Sequence, residues 1–527
     1  MKKYILIIVL ALLFNSCKHE EIIEIKVRQG TIINDITIIS ANNEKVDSLL
    51  GFVVIDGEKI VYANKKKPLL SGNFKEKNGE GKFIITGLMD SHVHLANTAG
   101  FNEELKKKYP KLVENYFKQL PKSYLYHGFT TLVDVNNYNP GLVSKIKNSP
   151  LHPDIYTCAN QVQVMNDFEM EMEESSLESR YQSQFLYDKY NKEISFPDSM
   201  DLSKHTPEMI LSRIIKQEGV GVKIVYEDEA SGLIVSWAKP STNIIKDLVF
   251  EAKKQNLPVL IHAPSIEGHQ VGLETGVEVF AHGMWNWTTN FAEEFNNLEL
   301  TQQHKDVLSE IAQKQIAYQL TFRTITGEED LIKGTLSSDK NLSHVFPGTV
   351  LNLLKTNEGN WGRNKILGRG AYLKRTNPTF YNAMRSNHSE DVEMWLAVYE
   401  LYNSRLNTVA KYLSEKNANF IFGSDTPAMN MFTNPPGYNG FLEMKHMFDA
   451  GISLEKIFRS TTYNNAKAFH LEILYGGVEK GKKANLLILK SNPLKYINAY
   501  NDIETVIIGG KFIPREELSA TNNVYKK

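Results

Sequence analysis

Ile84-Ile85-Thr86-Gly87-Leu88-Met89-Asp90-Ser91-His92-Val93-His94-Leu95 is the stretch on which the reading of this chain turns. An apolar run, a glycine, a second apolar pair and two alternate histidines describe a strand that ends in polar ligands. On a strand, residues i and i+2 point to one side, so both imidazoles can reach one ion while Val93 packs the other way. With 14 His among 527 residues, roughly 0.4 such pairs arise by chance, so the motif alone decides little. Its position decides more, because further ligand types stand at the ends of later apolar runs.

Downstream, eight apolar segments read as strands: 88–92, 130–135, 154–159, 222–226, 258–262, 277–282, 317–321 and 420–425. Helical stretches separate most of them, including 103–126, 243–255 and 392–416, and Ser453 reads as the N-cap of a helix running from Leu454 towards Phe469. Alternating strands and helices predict parallel βα units, and eight of them a (β/α)8 TIM-like barrel over 86–470. Segments 161–201 and 323–391 exceed ordinary loop lengths and read as insertions at the pocket. The two ends differ in texture. Short β-rich runs fill 27–85, with Asp56-Gly57 as a hairpin signal, and return in 471–520. Together they predict a small β-sandwich domain built from both chain ends, with a linker at 18–26 and a tail at 521–527.

Candidate ligands fall at strand ends, where barrel active sites lie. They are His92 and His94 on the first strand, Lys223 on the fourth, His262 on the fifth, His282 on the sixth and Asp425 on the eighth. Taken singly, His262 and His282 read as hydrogen-bonded core residues, Asp425 as a helix N-cap and Lys223 as a snorkelling or salt-bridged lysine. Taken together, four imidazoles and a carboxylate suit zinc or a similar ion. Asp134 reads as structural. His127, His205, His269, His304, His344, His388, His446 and His470 lack this placement and read as surface or loop residues, with His269 a candidate for the pocket rim.

Lys2 and Lys3 precede an apolar run over 4–14, followed by Asn15-Ser16-Cys17. The run is too short to span a bilayer and reads as a signal peptide. The small residues before Cys17 resemble a lipoprotein box, which predicts lipid on Cys17 and a membrane-anchored mature chain in a bacterial envelope, on the periplasmic side or the cell surface. Ordinary secretory cleavage nearby is the alternative. Cys158 is the only other cysteine, so neither a disulfide framework nor a Cys-rich metal site is available to an acylated chain. A formal net charge of −1 gives no reason to expect nucleic-acid binding. Nothing in the pattern specifies an oligomeric state.

These motifs resemble the amidohydrolase superfamily, in its imidazolonepropionase-like and Xaa-Pro dipeptidase-like branch. Residues 87–94 are similar to the first metal motif, His127-Gly128-Phe129-Thr130-Thr131 to the second-strand signature, and 476–486 with Asn492-Pro493-Leu494 to the return into the small β domain. Thr86, Ala281 and Asn485 depart from the family's usual Pro, Glu and Asp, and none of these removes a ligand. The resemblance implies that His92, His94 and Asp425 hold one ion, that His262 and His282 hold a second, and that a carboxylated Lys223 bridges them; a single ion is the alternative. It implies Asp425 and His282 as catalytic residues, Zn2+ as cofactor, and a small-molecule or short-peptide substrate cleaved at a C–N bond. A metal-dependent deaminase and a non-catalytic substrate-binding lipoprotein are the competing readings.

Overall fold

The computed structural model describes residues 23–168, 185–192, 196, 200–227, 237–287, 297–376 and 378–522. Cys17 and the segment expected as a signal peptide lie outside the described residues, as does much of 161–201.

Both chain ends build one sheet. Strands β1 (Glu24–Ala41), β2 (Val46–Asp56), β3 (Lys59–Asn64), β4 (Leu69–Asn78) and β5 (Phe83–Thr86) come from the N-terminal part. The C-terminal part adds β13 (Leu486–Leu489), β14 (Ile503–Ile508) and β15 (Lys511–Pro514). Their order is β15-β14-β13-β5-β1-β2-β3, with β4 on β1. The expected sandwich is thus a single hydrogen-bonded sheet. The cause is the 18-residue β1, which pairs with β2 along one edge and with β4 and then β5 along the other. It starts at Glu24, inside the stretch expected as linker. Side-chain alternation lets the sheet serve two cores. Ile84, Leu486 and Ile507 pack in the sheet's own cluster, whereas their neighbours Ile85, Leu487 and Val506 join the main core of the molecule.

Between these ends lie seven short parallel strands in two sheets. β6 (Leu88–Val93), β7 (Phe129–Asp134) and β8 (Asp154–Thr157) form one; β9 (Val222–Val225), β10 (Val259–His262), β11 (Val279–Ala281) and β12 (Ala317–Gln319) form the other. Isolated parallel bridges Val162↔Ile224, Tyr318↔Phe420 and Val93↔Thr426 connect them. Seven expected strands appear, several one or two residues short. The eighth, 420–425, is not a ladder strand. Side chains take two of its amide donors: Asn465 Oδ1 accepts from Phe422 N at 3.0 Å and Asp90 Oδ1 from Ser424 N at 3.0 Å.

Helices cover these strands with amphipathic faces. Thr242–Lys254 buries Ile244, Ile245, Leu248, Val249 and Ala252, and starts where Ser241 caps Ile244 N. The expected 103–126 helix is two, Glu103–Lys108 and Pro110–Tyr126, with Pro110 in the first turn of the second, where its missing N–H is harmless. Ser453 caps Lys456 N as expected. Segment 323–391 is largely helical rather than a loop, from Phe322–Lys333 to Pro378–Arg385. No described helix is long and apolar enough to cross a membrane.

Candidate metal centre

The six predicted ligand residues come together: His92, His94, His262 and His282 at or just past the C-terminal ends of β6, β10 and β11, Lys223 within β9, and Asp425 on the segment 420–425. His92, fully buried, is the last residue but one of β6, and His94 follows just beyond the strand, tied by its backbone N–H to Thr426 O at 2.9 Å. Asp425 Oδ1 lies 3.4 Å from His92 Nε2 and 2.9 Å from His94 Nε2. Ligand atoms of these three residues all lie within 4.8 Å of one another. Lys223 on β9 is 2% exposed, with its Nζ 3.4 Å from His92 Nε2. The His282 ring stands 5.0 Å from that of His92 and 4.5 Å from that of His262.

Neighbours that act through these residues escaped the sequence reading. His92 Nδ1 lies 2.9 Å from Gln319 Oε1, while Gln319 Nε2 donates to Ser91 Oγ at 2.8 Å. The amide oxygen therefore faces the imidazole, and His92 donates from Nδ1 and turns Nε2 toward Asp425 and Lys223. His282 Nδ1 is held 2.9 Å from Thr321 Oγ1, and His262 Nε2 lies 2.9 Å from Glu227 Oε2. Thr324 Oγ1 donates to Asp425 Oδ2 at 3.2 Å. Gln319, Thr321 and Glu227 stand at or just past ends of β12 and β9, so the strand-end rule that picked the ligands could also have picked them.

Burial and charge suit the cluster to a cation. Burial, reinforced by Lys223, holds the His92 imidazole well below its ordinary pKa; burial, then His262 and Lys223, do the same to His282. Both rings are thus neutral donors. Burial alone would raise the Asp425 carboxyl, but the facing His92 and His94 outweigh it and keep the group well below the usual carboxylate range. Beneath it, Asp90 accepts from the Ser424 N–H and hydroxyl, and burial nevertheless pushes its carboxyl up to about 7. Neutral imidazoles around an ionised carboxylate in a buried pocket fit a divalent ion.

Three histidines read as surface or loop residues are buried. His269 is fully buried, between Ser265 O at 2.8 Å and the Tyr318 hydroxyl at 2.9 Å, and stacks on Phe280; it is a core residue and not a pocket rim. His304 sits in the capping box of Gln302–Gln313 with Thr301. His127 packs between Tyr126 and Tyr438. Asp134 is buried too, with Oδ1 accepting from Asn136 N at 3.1 Å. Aromatic rings border the second histidine pair. Phe168 stacks on His262 at 6.0 Å, Trp237 meets Phe168 edge-on at 4.8 Å, and Trp285 meets His282 at 5.7 Å.

The resemblance read from the motifs is borne out by comparison. The family model for the amidohydrolase family matches residues 366–513. No curated protein matches the chain. Among solved structures, the chain is similar to a Xaa-Pro dipeptidase with bound methionine in its active site, at 18% identity and TM-score 0.57, over 92% of this chain and 100% of that one. It is similar to A. niger ochratoxinase at 14% identity and TM-score 0.60, over 92% and 96% of the two chains. Phenylurea hydrolase B matches at 16% identity and TM-score 0.60, over 94% and 99%. At these identities the likeness is one of fold.

Proposed function

We propose that this chain, similar to the amidohydrolases in sequence motifs and fold, is a metal-dependent hydrolase of a C–N bond in an amide, small peptide or cyclic amide. The observation that carries the reading is the buried His92, His94 and Asp425 cluster, with its ligand atoms within 4.8 Å. We read the two parallel sheets and their three connecting bridges as a (β/α)8 barrel, whose C-terminal strand ends form the active site.

His92, His94 and Asp425 would hold one ion, and His262 and His282 a second, with a carboxylated Lys223 between them. In the one-ion alternative, Lys223 contacts substrate or a neighbouring carboxylate. A bound zinc or similar ion would polarise the scissile carbonyl and lower the pKa of water to near neutrality. In this reading Asp425 would accept the water's proton and deliver it to the leaving nitrogen. His282, with Nδ1 tied to Thr321, keeps Nε2 for the reacting side. The aromatic rings at His262 and His282 favour substrates with an apolar group next to the scissile bond. For the deaminase alternative, Glu267, the carboxylate nearest in sequence to His262, is held by the Tyr226 hydroxyl at 2.7 Å and Lys239 Nζ at 2.8 Å, and Glu227 is the carboxylate that reaches His262.

The test is metal analysis of the purified protein together with a library of dipeptides and N-acyl amino acids. Bound divalent metal and cleavage of at least one class support the reading. Tight binding of library members without turnover would favour the substrate-binding lipoprotein. We further propose that the mature protein is anchored to the envelope membrane through lipid on Cys17.

A further inference from the structure

Three imidazoles in the centre have one nitrogen tied to a supporting neighbour, which fixes which nitrogen each turns the other way. In His92 and His282 the tied atom is Nδ1, held by Gln319 Oε1 and Thr321 Oγ1, each at 2.9 Å. His262 is the reverse. Its Nε2 faces Glu227 Oε2 at 2.9 Å. With Glu227 Oε2 accepting from the imidazole N–H, the proton sits on Nε2 and Nδ1 carries the lone pair that can meet a cation. His262 also differs in the kind of partner, a charged carboxylate where the other two have a neutral amide or hydroxyl.

We propose that Glu227 is a positioning residue that fixes His262 as an Nδ1 ligand and strengthens binding of a second divalent ion at His262 and His282. The proposal rests on the metal-hydrolase reading given above. The side chains of His262 and Glu227 are 13% and 10% exposed, and Phe168 stacks on the imidazole. In such surroundings a charge-assisted hydrogen bond is strong and holds the ring in one orientation. A carboxylate behind a ligating imidazole also raises the basicity of the nitrogen that faces the ion. The first pair of histidines has Asp425 beside it; the second pair draws its negative charge from Glu227.

The experiment titrates metal-free full-length protein with zinc in competition with a chromophoric chelator, for wild type, Glu227→Gln, Glu227→Ala and Glu227→Asp. Wild type should bind two ions. Glu227→Ala should weaken the second by about 10- to 100-fold and leave the first unchanged. Glu227→Gln should lose less, because its carbonyl oxygen still accepts from Nε2, and Glu227→Asp should lie between it and wild type. Unchanged first-ion affinity in each variant doubles as the control for folding. Nitrogen NMR of the zinc-loaded, histidine-labelled protein should show His262 bound through Nδ1. Equal or tighter second-ion binding in Glu227→Ala, or coordination through Nε2, overturns the proposal. A wild-type chain that binds one ion and cleaves a C–N bond overturns it and leaves the hydrolase intact. A chain that binds no ion and cleaves nothing overturns both.

Discussion

His92 lies among most of the centre: Gln319 behind it, Asp425 and Lys223 in front, His282 beside it. His92→Ala should therefore remove most of the bound metal, as measured by elemental analysis of the dialysed protein. Normal metal content would sink the site assignment. Asp425→Asn keeps the shape of the side chain and its capacity to accept from Thr324, but cannot take up a proton. Turnover should fall by about two to four orders of magnitude, with circular dichroism unchanged. Near wild-type rates in a variant that still holds metal would remove Asp425 from the mechanism. The six ligand candidates were legible because each lies in or at the end of an apolar run. Glu227, Gln319 and Thr321 also stand at or just past strand ends, but their roles depend on which ring nitrogen each faces, and that appears only in three dimensions.

At the scale of elements, the segment following β12 is held by a carboxylate from a distant helix. Glu443, in Tyr438–Asp449, accepts from Phe322 N at 3.0 Å with one oxygen and from Arg323 N at 2.8 Å with the other. Thr321 and Thr324, which contact His282 and Asp425, flank these amides. Glu443→Gln would set an amide N–H2 against a backbone N–H in the core. It should cost about 1–3 kcal/mol, the usual penalty for a buried group left unpaired, read from chemical denaturation. No loss of stability would mean that the segment is held by other contacts. The rings at His262 supply a second prediction. Trp237→Ala should lower kcat/KM roughly 3- to 10-fold for substrates bearing a phenyl group, the worth of one aromatic contact, and leave methyl-bearing analogues unaffected. Equal effects on both would place Trp237 away from the substrate. Strand existence was readable from apolar runs, but the fate of 420–425 was not. Its backbone donors are claimed by Asp90 and Asn465, side chains far away in sequence.

For the molecule as a whole, the strand pattern at both termini was legible, and the single sheet they form was not, since pairing register depends on β1 running unbroken between two partners. β13 lies between β5 and β14, with Leu486 opposite Thr86 and Leu489 opposite Phe83. Ending the chain after Lys483 would uncover Ile84 and Ile85, both fully buried, along an open strand edge. Such a truncation should be insoluble or bind a hydrophobic dye; a soluble chain with wild-type metal content would count against this. Export is tested at the same scale. The mature protein should partition with membranes, and Cys17→Ala should release it. A mature N-terminus downstream of Cys17 without lipid, seen by mass spectrometry, would contradict the anchor.

The position of β13 also orders events in time. The strand beside β5 is made about 400 residues after it, so β5 waits with one edge unsatisfied while the middle of the chain, which carries the candidate ligands, emerges. Long-range pairing of this kind forms late and slowly. A growing chain therefore carries an open, apolar strand just ahead of His92, and is the species most in need of a chaperone.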